Sequence, residues 1–187
     1  MTKTEFGIFA AALKTYYPRE KDLLPNDAAM KLWYKQLQDI PFLIAEAALD
    51  RWVTTNAEKG KYSPSIAEIR ELSASIASGE IEGWGEAWEK VLDAVKKYGL
   101  YGQKQAMDSF DEITRKAVRG VGFRDICTSE NISIERANFR TIYQELAQKE
   151  KERRQMSDAL KRKIEAQSAQ MIAAQNRALL EEGKNGN

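Results

Sequence analysis

Residues 6–18 read FGIFAAALKTYYP, in which Phe6, Phe9, Ala10, Leu13, Tyr16 and Tyr17 recur at intervals of mostly three and four before Pro18 stops the run. At 3.6 residues per turn such positions stack on one face, so the spacing predicts a helix with an apolar stripe. The same pattern extends outward along the chain. A second helix begins near Asn26 or Asp27, either of which can accept the free amide hydrogens of the first turn, and it presents Ala29, Leu32, Trp33 and Leu37. Pro41 suits the opening turn of a third helix carrying Ala45, Ala48, Leu49, Trp52 and Val53. Three such stripes can bury one another. Gly60 interrupts the pattern, and two start signals compete for the fourth helix: Ser63 before Pro64, and Ser65 with Glu68 three residues on, the spacing of a capping box. Ile66, Ile69, Leu72 and Ile76 supply its face. The chain is predicted to be all-α.

Composition narrows the function. The 187 residues contain no histidine and a single cysteine. Without imidazole the easiest general base at neutral pH and the commonest zinc ligand are both missing. Cys127 has no second thiol for a disulfide or a C-x-x-C pair, and reads as a small buried apolar residue, the alternative being a reactive thiol for which no imidazole is supplied. Gly60-Lys61 lacks the upstream glycine and the following Ser or Thr of a phosphate-binding loop. An enzyme is therefore the weaker reading, and no cofactor is expected. A hydrophobic share of 43% is enough for a core, while a net charge of +1 leaves any contact with nucleic acid to local patches. No stretch approaches the roughly 20 apolar residues of a membrane span, and the N-terminus lacks a signal-peptide flank, so the expected compartment is the cytosol.

Beyond residue 78, Gly79, Gly83 and Gly85 interrupt the helical text and mark a boundary. The expected division is an N-terminal helical domain over 1–78, a linker over 79–85, a central helical domain over 86–155 and a C-terminal helical tail, extended or partly disordered, over 156–187. Trp84, Trp88, Val91, Leu92 and Val95 line one side of the next helix. The two tryptophans either anchor a protein partner or pin the helix to its own domain. After a short segment with Ala106, Met107 and Phe110, Asp111 caps a helix with Ile113, Ala117 and Val118 inward, ended by Gly120 and Gly122. Phe123, Ile126 and Cys127 pass into the turn TSEN, and Ser133 is expected to cap a long helix with Phe139, Ile142, Tyr143 and Leu146. That order admits a helix-turn-helix reading, with Arg136, Asn138 and Arg140 toward DNA, although Glu130 and Glu135 oppose a polyanion. Lys149, Lys151, Arg153 and Arg154 form a candidate phosphate patch that salt would weaken. In the tail, Leu160, Ile164, Gln167, Met171, Ala174 and Ala178 are spaced by three and four, but too many are small or polar for a strong coiled coil. Such a helix gains order when a partner covers its sparse stripe.

The ordered segments LKTYYP (13–18), LWYKQLQD (32–39), ALDRWVTTN (48–56), YSPSIAEIREL (62–72), GWGEAWEKV (83–91) and GFRDICTSEN (122–131) together resemble the phage replicative helicase loader and inhibitor family, from about Phe6 to Tyr143. The resemblance implies an N-terminal helical domain joined to a more mobile C-terminal part that engages a hexameric replicative DNA helicase. It implies that the helicase is held inactive and delivered to the phage origin with help from an origin-binding protein, in the host bacterial cytoplasm, without ATPase activity in the loader itself. By that analogy the helicase contacts fall on Phe139, Tyr143, Leu160, Ile164, Met171 and Leu179, with Trp84 and Trp88 as further candidates. The region from Trp84 to Tyr143 is longer and more ordered than the family pattern. The alternative is a helix-turn-helix-like replication or transcription protein contacting DNA through Arg136, Arg140, Lys149, Lys151, Arg153 and Arg154.

Overall fold

A computed structural model describes residues 1–55 and 58–185, excluding the side chains of residue 59 and of 178–185. The described residues form ten α-helices and two short 3-10 turns, with no strand. They divide into two compact units, one built from residues 1–79 and 155–187 and the other from 80–154.

The first unit contains α1 (Lys3–Tyr16), α2 (Asp27–Leu37), α3 (Phe42–Thr55), α4 (Ile66–Ser78) and, from the far end of the chain, α10 (Asp158–Asn185). Its core gathers Phe6, Phe9, Leu13, Leu37, Ala45, Leu49, Trp52 and Ile69. Local chemistry sets the helix starts. Asn26 rather than Asp27 caps α2, its side chain accepting from the Ala29 amide at 3.0 Å. At α4 the capping box prevails: Ser65 Oγ accepts from the Glu68 amide at 3.3 Å, and the Glu68 carboxylate accepts from the Ser65 amide at 2.8 Å. Ser63 is used elsewhere. Its amide and hydroxyl donate to the Glu20 carboxylate at 2.8 and 2.6 Å, tying the turn after α1 to the start of α4.

Two stripe assignments are corrected. The inward face of α2 runs through the half-buried Ala29, Met30, Trp33 and Tyr34 and the buried Leu37, which turns Leu32 outward to 55% exposure. At the end of α1, Tyr17 enters the core while Tyr16 stays exposed and donates its hydroxyl to Asp50 at 3.2 Å.

The second unit contains α5 (Trp84–Tyr98), α6 (Gln103–Ser109), α7 (Glu112–Val121), α8 (Phe123–Thr128) and nearly all of α9 (Ile132–Gln155). Trp88, Val91, Met107, Phe110, Val118, Phe123, Ile126, Phe139 and Tyr143 share one core. Asp111 caps α7, accepting from the amides of Ile113 and Thr114 at 2.9 and 3.0 Å. Gly120 does not end α7. It lies inside the helix, where an added Cβ would come within 3.0 Å of Ile142 Cδ1, so its missing side chain lets α9 approach; Gly122, with φ +101°, makes the stop. Residues 123–128 are a helix rather than a passage into a turn. The start of α9 also moves: Asn131, not Ser133, holds the first turn, its side chain accepting from the Ser133 amide at 3.3 Å.

Candidate protein-binding surfaces

The longest helix is the least buried. From Asp158 to Arg177 every residue of α10 is exposed except the half-buried Lys161. Leu160, Ile164 and Met171 stand 44%, 41% and 68% exposed. The side chain of Leu179 lies outside the described residues. Ile172, which the sequence reading missed, joins the apolar surface at 58% exposure. Its signal was available, since it adjoins Met171 and continues an i+4 row from Ser168.

The start of α10 is held by a buried ion pair that the sequence reading also missed. Arg70 in α4 grips Asp39 through two parallel hydrogen bonds of 2.8 and 2.9 Å, with only 10% and 15% of the two side chains exposed. The same guanidinium donates to the carbonyl of Gln36 at 2.6 Å and to the carbonyl of Gln155. Asp39 in turn accepts from the amide of Asp158, the first residue of α10, at 3.1 Å. Burial by itself would raise the Asp39 pKa, but the hydrogen bonds from Arg70 and Asp158 outweigh it and hold the carboxyl below its ordinary value. The planar guanidinium fork matches a carboxylate in a way a lysine cannot, which fits arginine to this junction. An exposed helix thus starts at a hydrogen-bonded ion pair.

In the second unit the expected contacts Phe139 and Tyr143 lie in the core, with 0% and 2% exposure. Phe139 packs against Trp88 at 5.1 Å and Tyr143 at 5.5 Å between ring centroids, and the Tyr143 hydroxyl donates to the Glu82 carbonyl at 3.0 Å. Burial, then the nearby carboxylates of Asp111 and Glu82, pushes the Tyr143 hydroxyl up to about 12. Trp88 is buried as well, consistent with a pinning role. Trp84 differs. It is half-buried, and the guanidinium carbons of Arg136 and Arg140 lie 5.3 and 5.0 Å from its ring centroid. Beside it opens a groove of about 330 Å³ lined by Ile81, Glu82, Trp84, Tyr143, Gln144, Ala147, Gln148 and Lys151.

Of the expected phosphate patch, Lys149, Lys151 and Arg153 are exposed, and Arg153 and Arg154 both bind Glu150, at 2.7 and 2.9 Å. Hydrogen bonding from Arg153, against a smaller effect of burial and with Arg154 adding, holds the Glu150 carboxyl down at about 2. Cys127 is half-buried against the core, and burial raises its thiol, as suits a packing residue.

The fold and surfaces define an all-helical protein of two compact units that presents exposed helical faces. No helix among the described residues is long and apolar enough to cross a membrane. Residues 1–70 match the N-terminal domain of the gp39 family, the phage helicase loaders and inhibitors. The resemblance read from the sequence is therefore borne out over these residues, and residues 71–187 lie outside the match. That family is one of helicase loaders and inhibitors. No curated protein and no solved structure matches the chain.

Proposed function

We propose that the protein is a phage replicative helicase loader and inhibitor that binds a hexameric helicase through α10, restrains it, and helps deliver it to origin DNA with an origin-binding protein, in the host bacterial cytoplasm. The observation that carries this reading is the match of residues 1–70 to the loader family's N-terminal domain. The exposed stripe of Leu160, Ile164 and Met171 supports it, because large aliphatic side chains left in water along one helix favour insertion into a partner's groove. Each gains about 1.5–3 kcal/mol on complete burial. Since they are already partly covered, the three together contribute about 3 kcal/mol, or a factor of about 100 in affinity.

Inhibition needs no covalent step. A loader that prefers one arrangement of the helicase ring shifts the ring toward it, by no more than the difference in its affinities for the two arrangements. The root at Arg70 and Asp39 would fix where α10 leaves the N-terminal unit, limiting the orientations it samples before binding.

The test is a mixture of the full chain with its matching hexameric helicase, weighed by light scattering with and without ATP. A complex of defined mass whose population depends on nucleotide is expected, together with lowered unwinding. Sequence-specific duplex binding without helicase would favour the DNA-binding alternative. That alternative has less support: the first turn of α9 exposes Ile132 and Ile134 beside Glu130 and Glu135, where a groove-reading helix needs donors.

A further inference from the structure

We propose that the second unit carries another docking surface, separate from α10, which takes an acidic peptide segment of a partner protein with an apolar anchor. The surface is the face of α9 that follows Arg136, Arg140, Gln144, Ala147 and Lys151, with Trp84 beside it. These positions recur at intervals of three and four, so they form one stripe, about 22 Å long at 1.5 Å per residue.

Two like charges one turn apart on a helix repel each other. Arg136 and Arg140 share one indole ring, and neither has an ion-pair partner among the described residues. Both guanidiniums lie over the Trp84 ring, where the cation–π attraction holds them near it, and their N–H groups meet no carboxylate among the described residues. Next to them the groove offers Ile81, Ala147 and the side of Trp84 to an apolar side chain, and its lining carboxylate, Glu82, is neutralised by Lys90 at 2.7 Å. Positive charge beside an apolar recess is complementary to a segment in which Asp or Glu flanks a leucine or an aromatic residue. Single-stranded nucleic acid fits less well. The guanidiniums occupy the Trp84 face on which a base would stack, and Glu135 and Glu145 on the same helix repel a continuous phosphate backbone.

The test is selection of random phage-displayed peptides on the immobilised full-length protein, followed by titration of synthetic copies by fluorescence anisotropy. Selected peptides are expected to carry carboxylates flanking an apolar residue, to bind more weakly as salt rises, and to lose about tenfold or more in affinity to the Arg136→Gln/Arg140→Gln double variant. Gln144→Glu, at an exposed position that leaves the core intact, is expected to weaken binding in the same direction. Circular dichroism checks that both variants keep their helices. The proposal is overturned if selection yields no binder, if the peptides lack carboxylates or bind the double variant equally well, or if an oligothymidylate competes through Arg136 and Arg140 more tightly than any peptide.

Discussion

Helices α9 and α10 follow one another in sequence, run 24 and 28 residues, and are both rich in Glu, Lys, Arg, Ala and Gln, yet they behave as different kinds of element. Phe139 and Tyr143, one turn apart, seal α9 into the core of its unit, while α10 buries none of its described residues. Helical propensity explains that both are helices; the size of the side chains on the stripe explains which one is closed. Two aromatic rings bury enough area to fix α9 against Trp88, whereas Leu160, Ile164 and Met171, diluted by alanine and glutamine, leave α10 exposed.

The sharpest way to break this contrast is to cut the seal. Phe139→Ala is expected to destabilise the second unit by about 3–5 kcal/mol, through lost burial and the cavity left behind, as read by urea denaturation followed by circular dichroism. Leu160→Ala is expected to change stability by less than about 0.5 kcal/mol in the same assay. If the two substitutions cost the same, α10 is packed and the distinction fails.

The root of α10 comes next. Arg70→Ala strands the Asp39 carboxylate with 15% exposure and is expected to cost about 3 kcal/mol in the same urea experiment. The pair also predicts a pH dependence. Because the folded Asp39 titrates below its ordinary value of 3.8, its contribution is fully present above that value and is lost as pH falls through the lower folded pKa. The Asp158 amide resonance should therefore report a midpoint below 3.8 in an NMR titration, and a midpoint above it would contradict the bidentate pair.

Ser65→Ala removes the α4 cap and should cost about 1 kcal/mol, measured by thermal unfolding. Lys149→Gln, at an exposed position, should stay within about 0.5 kcal/mol in the same measurement.

These contrasts follow what a sequence can and cannot express. Caps are written in residues two or three apart, so Asn26, the Ser65 and Glu68 pair, and Asp111 are legible in the chain itself. So is the sparse stripe of α10. Phe139 and Tyr143 are legible as a helical face, but whether that face meets the core or a partner depends on Trp88, which lies far upstream in α5. Arg70 and Asp39 are 31 residues apart, and their meeting with Asp158 depends on a return of the chain end that no local pattern encodes. Arg136 and Arg140 show the right spacing, but nothing nearby announces that Trp84 lies under both.

Under the proposed function, the open helix α10 is the part that captures a helicase. The most direct measurement compares the full chain with its Leu160→Ser/Ile164→Ser/Met171→Ser variant, both mixed with the matching hexameric helicase and weighed by light scattering in the presence of ATP. An unchanged melting temperature with capture weakened by about 100-fold is the predicted result. Undiminished capture by the variant would contradict it.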